Sequence, residues 1–262
     1  VKPVEYCHLR KVSLKSIGLI IVAAIFLFIM ADYVNACSMI AFQNLLDDSL
    51  QAIVNKPVEA LVVVAILPAI IEEFLFRGMI YRGIANKSNK KIVIIISALL
   101  FAFLHMNFNQ MCYAFVMGLV FAIVIYLTDN LSVSILLHML FNAFTVIITC
   151  FEKSNAIQAI LQCNIAGYTL FNPSLTDTQG KIEISLLIIG GLIAILSAVI
   201  AGWLILLIAK TEKTTETTIN NENILKDNDN IFKNNENWKP DLRFFAGSGV
   251  CILIAILYEI LL

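Results

Sequence analysis

Seven apolar runs dominate this chain, at 17–34, 57–82, 92–108, 112–128, 132–151, 184–209 and 244–262. Each is long enough, or nearly so, to cross about 30 Å of hydrocarbon as a helix. In lipid every backbone N–H and C=O must be satisfied within the segment, so such runs fold as α-helices. The fold class that follows is all-α: a polytopic integral membrane protein with about seven transmembrane helices, possibly eight. The eighth candidate, 157–171, is short and broken by Asn164 and Gly167, and reads as an interfacial or re-entrant piece. Hydrophobic residues make up 60% of the chain and charged residues 14%, against about 25% charged in soluble domains. A soluble enzyme is excluded. No glycine-rich phosphate loop and no basic patch for nucleic acid occurs, so the first partner is the bilayer itself.

The sequence divides accordingly. A basic arm at 1–16 precedes spans 1–5 (17–151). An outer loop at 152–183 is followed by span 6 (184–209), a polar loop at 210–243 and span 7 (244–262). The first span, with its basic flank and the run Val34-Asn-Ala-Cys37, has some features of a cleaved signal. Its eighteen apolar residues are long for a signal core, and it reads as a retained span. The 210–243 loop is rich in Asn, Thr, Lys and Glu, lacks core-forming residues and reads as solvated.

Orientation follows from Lys and Arg. Alternating spans put Lys2, Arg10, Lys11, Lys15, Arg82, Lys87, Lys90, Lys91, Lys210, Lys213, Lys226, Lys233, Lys239 and Arg243 on one side. The other side has Lys56, Lys153 and Lys181. This bias makes the N-terminus cytoplasmic. The six cysteines lack C-x-x-C spacing and read as small buried hydrophobes, although Cys37 and Cys163 both fall on the outer side, where they could pair.

Charges inside a span narrow the function. Glu72, Glu73 and Arg77 lie within one apolar run. Each would cost about 2.5–3.5 kcal/mol at the centre of a bilayer. Glu73 and Arg77 are four apart and stack on one helix face, where they form a structural ion pair. Glu72 points about 100° away and has no partner on its own helix. A desolvated carboxylate holds a proton more readily, as a general base requires. His105 and His138 also lie in apolar runs, and His138 shares a face with Asn142. That pair can donate to a developing oxyanion, or it can hold spans together by interhelical hydrogen bonds.

Glu72-Glu73-x-x-x-Arg77-Gly78, Phe101-x-x-x-His105 and His138-x-x-x-Asn142 together resemble the three motifs of the CPBP intramembrane proteases. That family includes the CAAX prenyl endopeptidases and bacterial proteins linked to bacteriocin processing and immunity. The matched region is 68–145, on helices 2, 3 and 5. The resemblance implies a membrane peptidase, in a bacterial plasma membrane, with a site opening toward the cytoplasm. It implies that Glu72 is the general base, that His105 positions the water, and that His138 and Asn142 bind the oxyanion. The substrate would be a peptide or a lipidated protein. The metal-free mechanism needs no cofactor. Zinc held by two histidines and a glutamate is the rival, although no H-E-x-x-H is present. Two further classes compete: a non-catalytic scaffold or immunity factor, and a proton-coupled transporter built on the same Glu and His residues.

Overall fold

The computed structural model describes residues 6–42, 53, 55–85 and 89–222, with side chains through 214. The expected span at 244–262 and most of the 210–243 loop lie outside the described residues. What is described is mostly helical, with one small hairpin and an isolated bridge, Thr176 to Ile182, in the outer segment, an all-α membrane protein. Helix α1 is Leu14–Met39. Helix α2 is a continuous helical run, Pro57–Ala60, Leu61–Ile66, Leu67–Glu73, Phe74–Tyr81 and Arg82–Ala85. Helices α3 (Lys90–Leu104), α4 (Phe108–Thr128) and α5 (Leu131–Cys150) follow. The outer segment holds α6 (Asn155–Leu161) and an antiparallel pair, β1 (Asn164–Ile165) with β2 (Tyr168–Thr169). Helix α7, Ile184–Glu222, closes the described part.

Four of these helices, α1, α4, α5 and the Ile184–Thr214 part of α7, are long and apolar enough to cross a membrane unbroken. Helix α2 differs because Leu61–Ile66 and Phe74–Tyr81 are π-helical. Pro68 explains the first of these, since it offers no N–H to the carbonyl of Val64 four residues back. A π turn is a common local answer to such a break, and one often found at functional sites. Helix α7 runs past 209, where a loop was expected to begin. Its 39 residues would extend about 58 Å, well beyond the hydrocarbon.

The third expected span ends early. Helix α3 stops at Leu104, and His105 is its C-cap rather than a residue within the helix. Met106 takes a positive φ of 51°, and Asn107 caps α4 by accepting from the Gln110 N–H at 2.9 Å. Helices α3 and α4 form a tight hairpin. A Cβ at Gly118 would lie 3.0 Å from the Ala98 Cα, so glycine is what lets the two backbones cross so closely.

The core joins Ile20, Leu27, Phe101, Met117, Phe121, Leu137, Leu204 and Ile208 from five helices. One end of the bundle gathers polar groups. Asp129, in left-handed conformation between α4 and α5, takes contacts from His8 (2.6 Å), Arg10 (3.3 Å) and Arg82 (2.9 Å). Glu212 accepts from Ser13 N–H and Asn130 Nδ2 at 3.2 and 3.1 Å. Arg10, Arg82, Lys90 and the end of α7 therefore share one face, the basic one. The outer hairpin packs at the other end, where Asn172 N–H donates to Asp32 at 2.8 Å. Cys37 and Cys163 are both free thiols there.

Candidate active site

Glu73 is fully buried and receives three donors. Arg77 reaches its Oε1 at 2.9 Å, Ser134 Oγ donates to its Oε2 at 2.7 Å, and His138 Nδ1 donates to its Oε1 at 3.1 Å. Arg77, also buried completely, gives a second hydrogen bond to the Gly118 carbonyl at 2.9 Å. Its guanidinium stands 4.4 Å from the centre of the Phe101 ring. The pair anticipated from i,i+4 spacing is thus part of a larger cluster that ties α2 to both α4 and α5.

Glu72 faces elsewhere. Its side chain is 19% exposed, and its Oε2 lies 4.0 Å from His138 Nε2. His138 stacks on Phe121, ring centres 4.6 Å apart, and edges against Phe101. Because Glu73 as a carboxylate can only accept, Nδ1 of His138 carries a proton and Nε2 is the atom left toward Glu72. His105 Nδ1 donates to the Phe101 carbonyl at 3.0 Å, which likewise leaves Nε2 as its available atom.

Asn142 has the structural duty that its spacing left open, an interhelical hydrogen bond. Its Nδ2 donates to the Val64 carbonyl at 3.2 Å. That carbonyl is the one deprived of an α-helical partner by Pro68. One amide N–H is therefore committed, and the expected role of Asn142 at an oxyanion falls to the second.

A cavity of about 550 Å³ brings Glu72, His105, His138 and Asn142 together, with Phe101 and Phe121 at its inner end. From there it runs along α5 past Thr145 and Thr149 to Glu152, and along α1 to Asn35 and Met39. Asn172 of the outer segment also lines it. The cavity thus extends away from the basic face, whereas the resemblance implied an opening toward the cytoplasmic, basic side. At the basic end Cys7, Tyr81 and Leu131 pack into a buried plug. Gly78 makes room for it, since a Cβ there would stand 3.0 Å from Cys7 Sγ.

Among the described residues no three His, Cys, Asp or Glu side chains group to hold a metal ion. Each membrane histidine has Nδ1 in a hydrogen bond and Nε2, the atom a metal would take, available.

Ser134 and Gly118 were not singled out from the sequence. Ser134 was within reach, since Ser134, His138 and Asn142 form one i,i+4,i+8 stripe. Gly118 carries no such signal.

Residues 54–144 match the family described as type II CAAX prenyl endopeptidase Rce1-like. The chain is also similar to a membrane-embedded CAAX protease, MroQ, of Staphylococcus aureus (strain USA300). The two are 34% identical over 116 residues, which cover 42% of this chain and 47% of the relative. The aligned part thus spans about half the length of that relative. No solved structure matches the chain significantly.

Proposed function

We propose that this chain, whose residues 54–144 match the Rce1-like CAAX endopeptidase family, is an intramembrane endopeptidase in which Glu72 activates water. The carrying observation is the division of labour between adjacent glutamates. Glu73 is saturated by three donors, while Glu72 borders the cavity beside His138.

With His138 protonated, Glu72, Glu73, His138 and Arg77 carry two negative and two positive charges. Such a cluster is neutral as a whole, which is how charges persist at this depth. Glu72 takes a proton from water as the hydroxide adds to the scissile carbonyl carbon. Negative charge then moves from Glu72 to the new oxyanion, and both positions lie beside His138 Nε2–H. The second N–H of Asn142 completes the oxyanion site. His105 Nε2 accepts a hydrogen bond from the attacking water. Collapse of the intermediate breaks the C–N bond, and Glu72 returns its proton to the leaving amine. The residues of this chain supply every proton transfer, so the mechanism is written without zinc.

Seven residues separate Leu131 from His138, or about 10 Å of helix. Cleavage therefore falls in the half of the membrane nearer the basic face. With that face cytoplasmic in a bacterial plasma membrane, the substrate is a membrane-resident peptide or lipidated protein, as in peptide maturation or bacteriocin self-immunity.

The test is cleavage of membrane-resident peptides by the purified chain in lipid. Glu72→Gln should lower turnover by at least 100-fold and leave thermal unfolding unchanged. Full activity in that variant ends the proposal. Loss of wild-type activity on exhaustive chelation would show that a metal takes part.

A further inference from the structure

The reaction centre and its entrance lie toward opposite faces. At the basic end the way to Glu72 is shut. Glu73, Arg77 and Ser134 are all fully buried beneath it. Below them Cys7, Tyr81 and Leu131 fill the space, each at most 3% exposed. His8 seals the rim twice, through Asp129 and through its own carbonyl, which accepts from Leu131 N–H at 3.1 Å. At the other end the cavity lining includes four exposed residues, Met39, Val63, Glu152 and Asn172. They come from the end of α1, the first π turn of α2, the turn after α5 and the outer segment. Among the described residues Arg10, Lys11, Lys15, Arg82, Lys90, Lys91, Lys210 and Lys213 lie toward the shut end, against Lys56, Lys153 and Lys181 toward the other, a bias that makes the shut end the cytoplasmic one.

We infer that substrate reaches Glu72 from the outer, extracytoplasmic face of the membrane, down the groove between α1 and α5. From the end of α5 at Cys150 to His138 is twelve residues of helix, or about 18 Å. An extended chain covers that in about six residues. The substrate class is therefore a peptide whose scissile bond can be threaded some six residues inward from the outer surface in extended form. A folded domain or a bond at the membrane surface does not qualify. The kind of ligand rests on the peptidase proposal; the face of entry does not.

Thiol labelling separates the two. Intact cells expressing the full chain are treated with a membrane-impermeant, charged methanethiosulfonate, and labelled sites are assigned by peptide mass spectrometry. Three positions report. Native Cys163 is exposed on the outer segment, Thr149→Cys lies within the cavity, and Lys91→Cys is exposed on the basic face. The expected result is labelling of Cys163 and Thr149→Cys in intact cells. Lys91→Cys should react only after permeabilisation, with at least a tenfold rise. Lys91→Cys reacting in intact cells while Cys163 stays silent would place the entrance on the cytoplasmic side and overturn the inference. So would a Thr149→Cys that does not react in intact cells when Cys163 does. A Glu72→Gln variant that still cleaves, with the labelling pattern as expected, would defeat the peptidase proposal and leave the face of entry standing.

Discussion

Removing both partners of Glu73–Arg77 should cost much less than the two single removals added together. Arg77→Met leaves Glu73 with Ser134 and His138 but strips its nearest cation. Glu73→Ala leaves a fully buried guanidinium with the Gly118 carbonyl and the Phe101 face. Breaking a buried pair from one side costs about 3–5 kcal/mol. The double variant Glu73→Ala/Arg77→Met carries no orphaned charge at these positions. Its loss should fall short of the sum of the singles by about 2 kcal/mol or more. It will not return to wild type, because Ser134 and His138 lose their acceptor and a cavity is left at residue 73. The assay is reversible unfolding in detergent micelles, followed by far-UV circular dichroism, for all four corners of the cycle. Losses that add to within about 0.5 kcal/mol would show that the two side chains are not coupled, and the reasoning from a shared buried charge would fail.

Three further outcomes follow from single contacts. Ser134→Ala removes a 2.7 Å hydrogen bond to a buried carboxylate and should lower stability by about 1.5–3 kcal/mol in the same unfolding assay. Turnover should fall with it, since His138 loses a fixed neighbour on Glu73. Gly118→Ala sets a methyl against the Ala98 backbone and should cost about 1–3 kcal/mol, whereas Gly83→Ala, with open space around it, should be near neutral. Burial pushes the Asp129 carboxyl up, but the His8 hydrogen bond and the charges of Arg82 and His8 outweigh it and hold the group below its ordinary 3.8. Its contribution is therefore complete above pH 3.8 and is lost as pH falls below that value. Pepsin cleavage within residues 6–13, taken as a ratio to an Asp129→Asn control at each pH so that the protease's own pH profile cancels, should rise over that range.

The sequence showed most where periodicity and cost coincide. Glu73 and Arg77 lie four apart, and Glu72 is turned from both, so the division between them was visible before any coordinates. The helices α1, α4 and α5 were visible as long apolar runs. What failed to show depended on partners distant in the chain. The early end of α3 was written in Asn107-x-x-Gln110, a capping pattern hidden inside an apolar stretch. The π turns of α2 followed from Pro68, but their remedy, the Asn142 amide, comes from three helices later. The direction of the cavity was least accessible. It is decided by the plug of Cys7 and Leu9 against Tyr81 and Leu131, and no local pattern encodes which end of a bundle is filled.

That plug bears on how the protein is made. Residues 6–13 leave the ribosome before any helix of the bundle. Yet their partner Asp129 lies 121 positions beyond His8. Contacts of such long range form late, after the intervening chain has paid for its loop closure. Until α2, α4 and α5 have been inserted, the arm has no groove at Gly78 and no carboxylate to hold it. The floor beneath Glu72 is thus completed only once Asp129 and Leu131 are in place. Before that moment the arm cannot close the cluster off from the basic side.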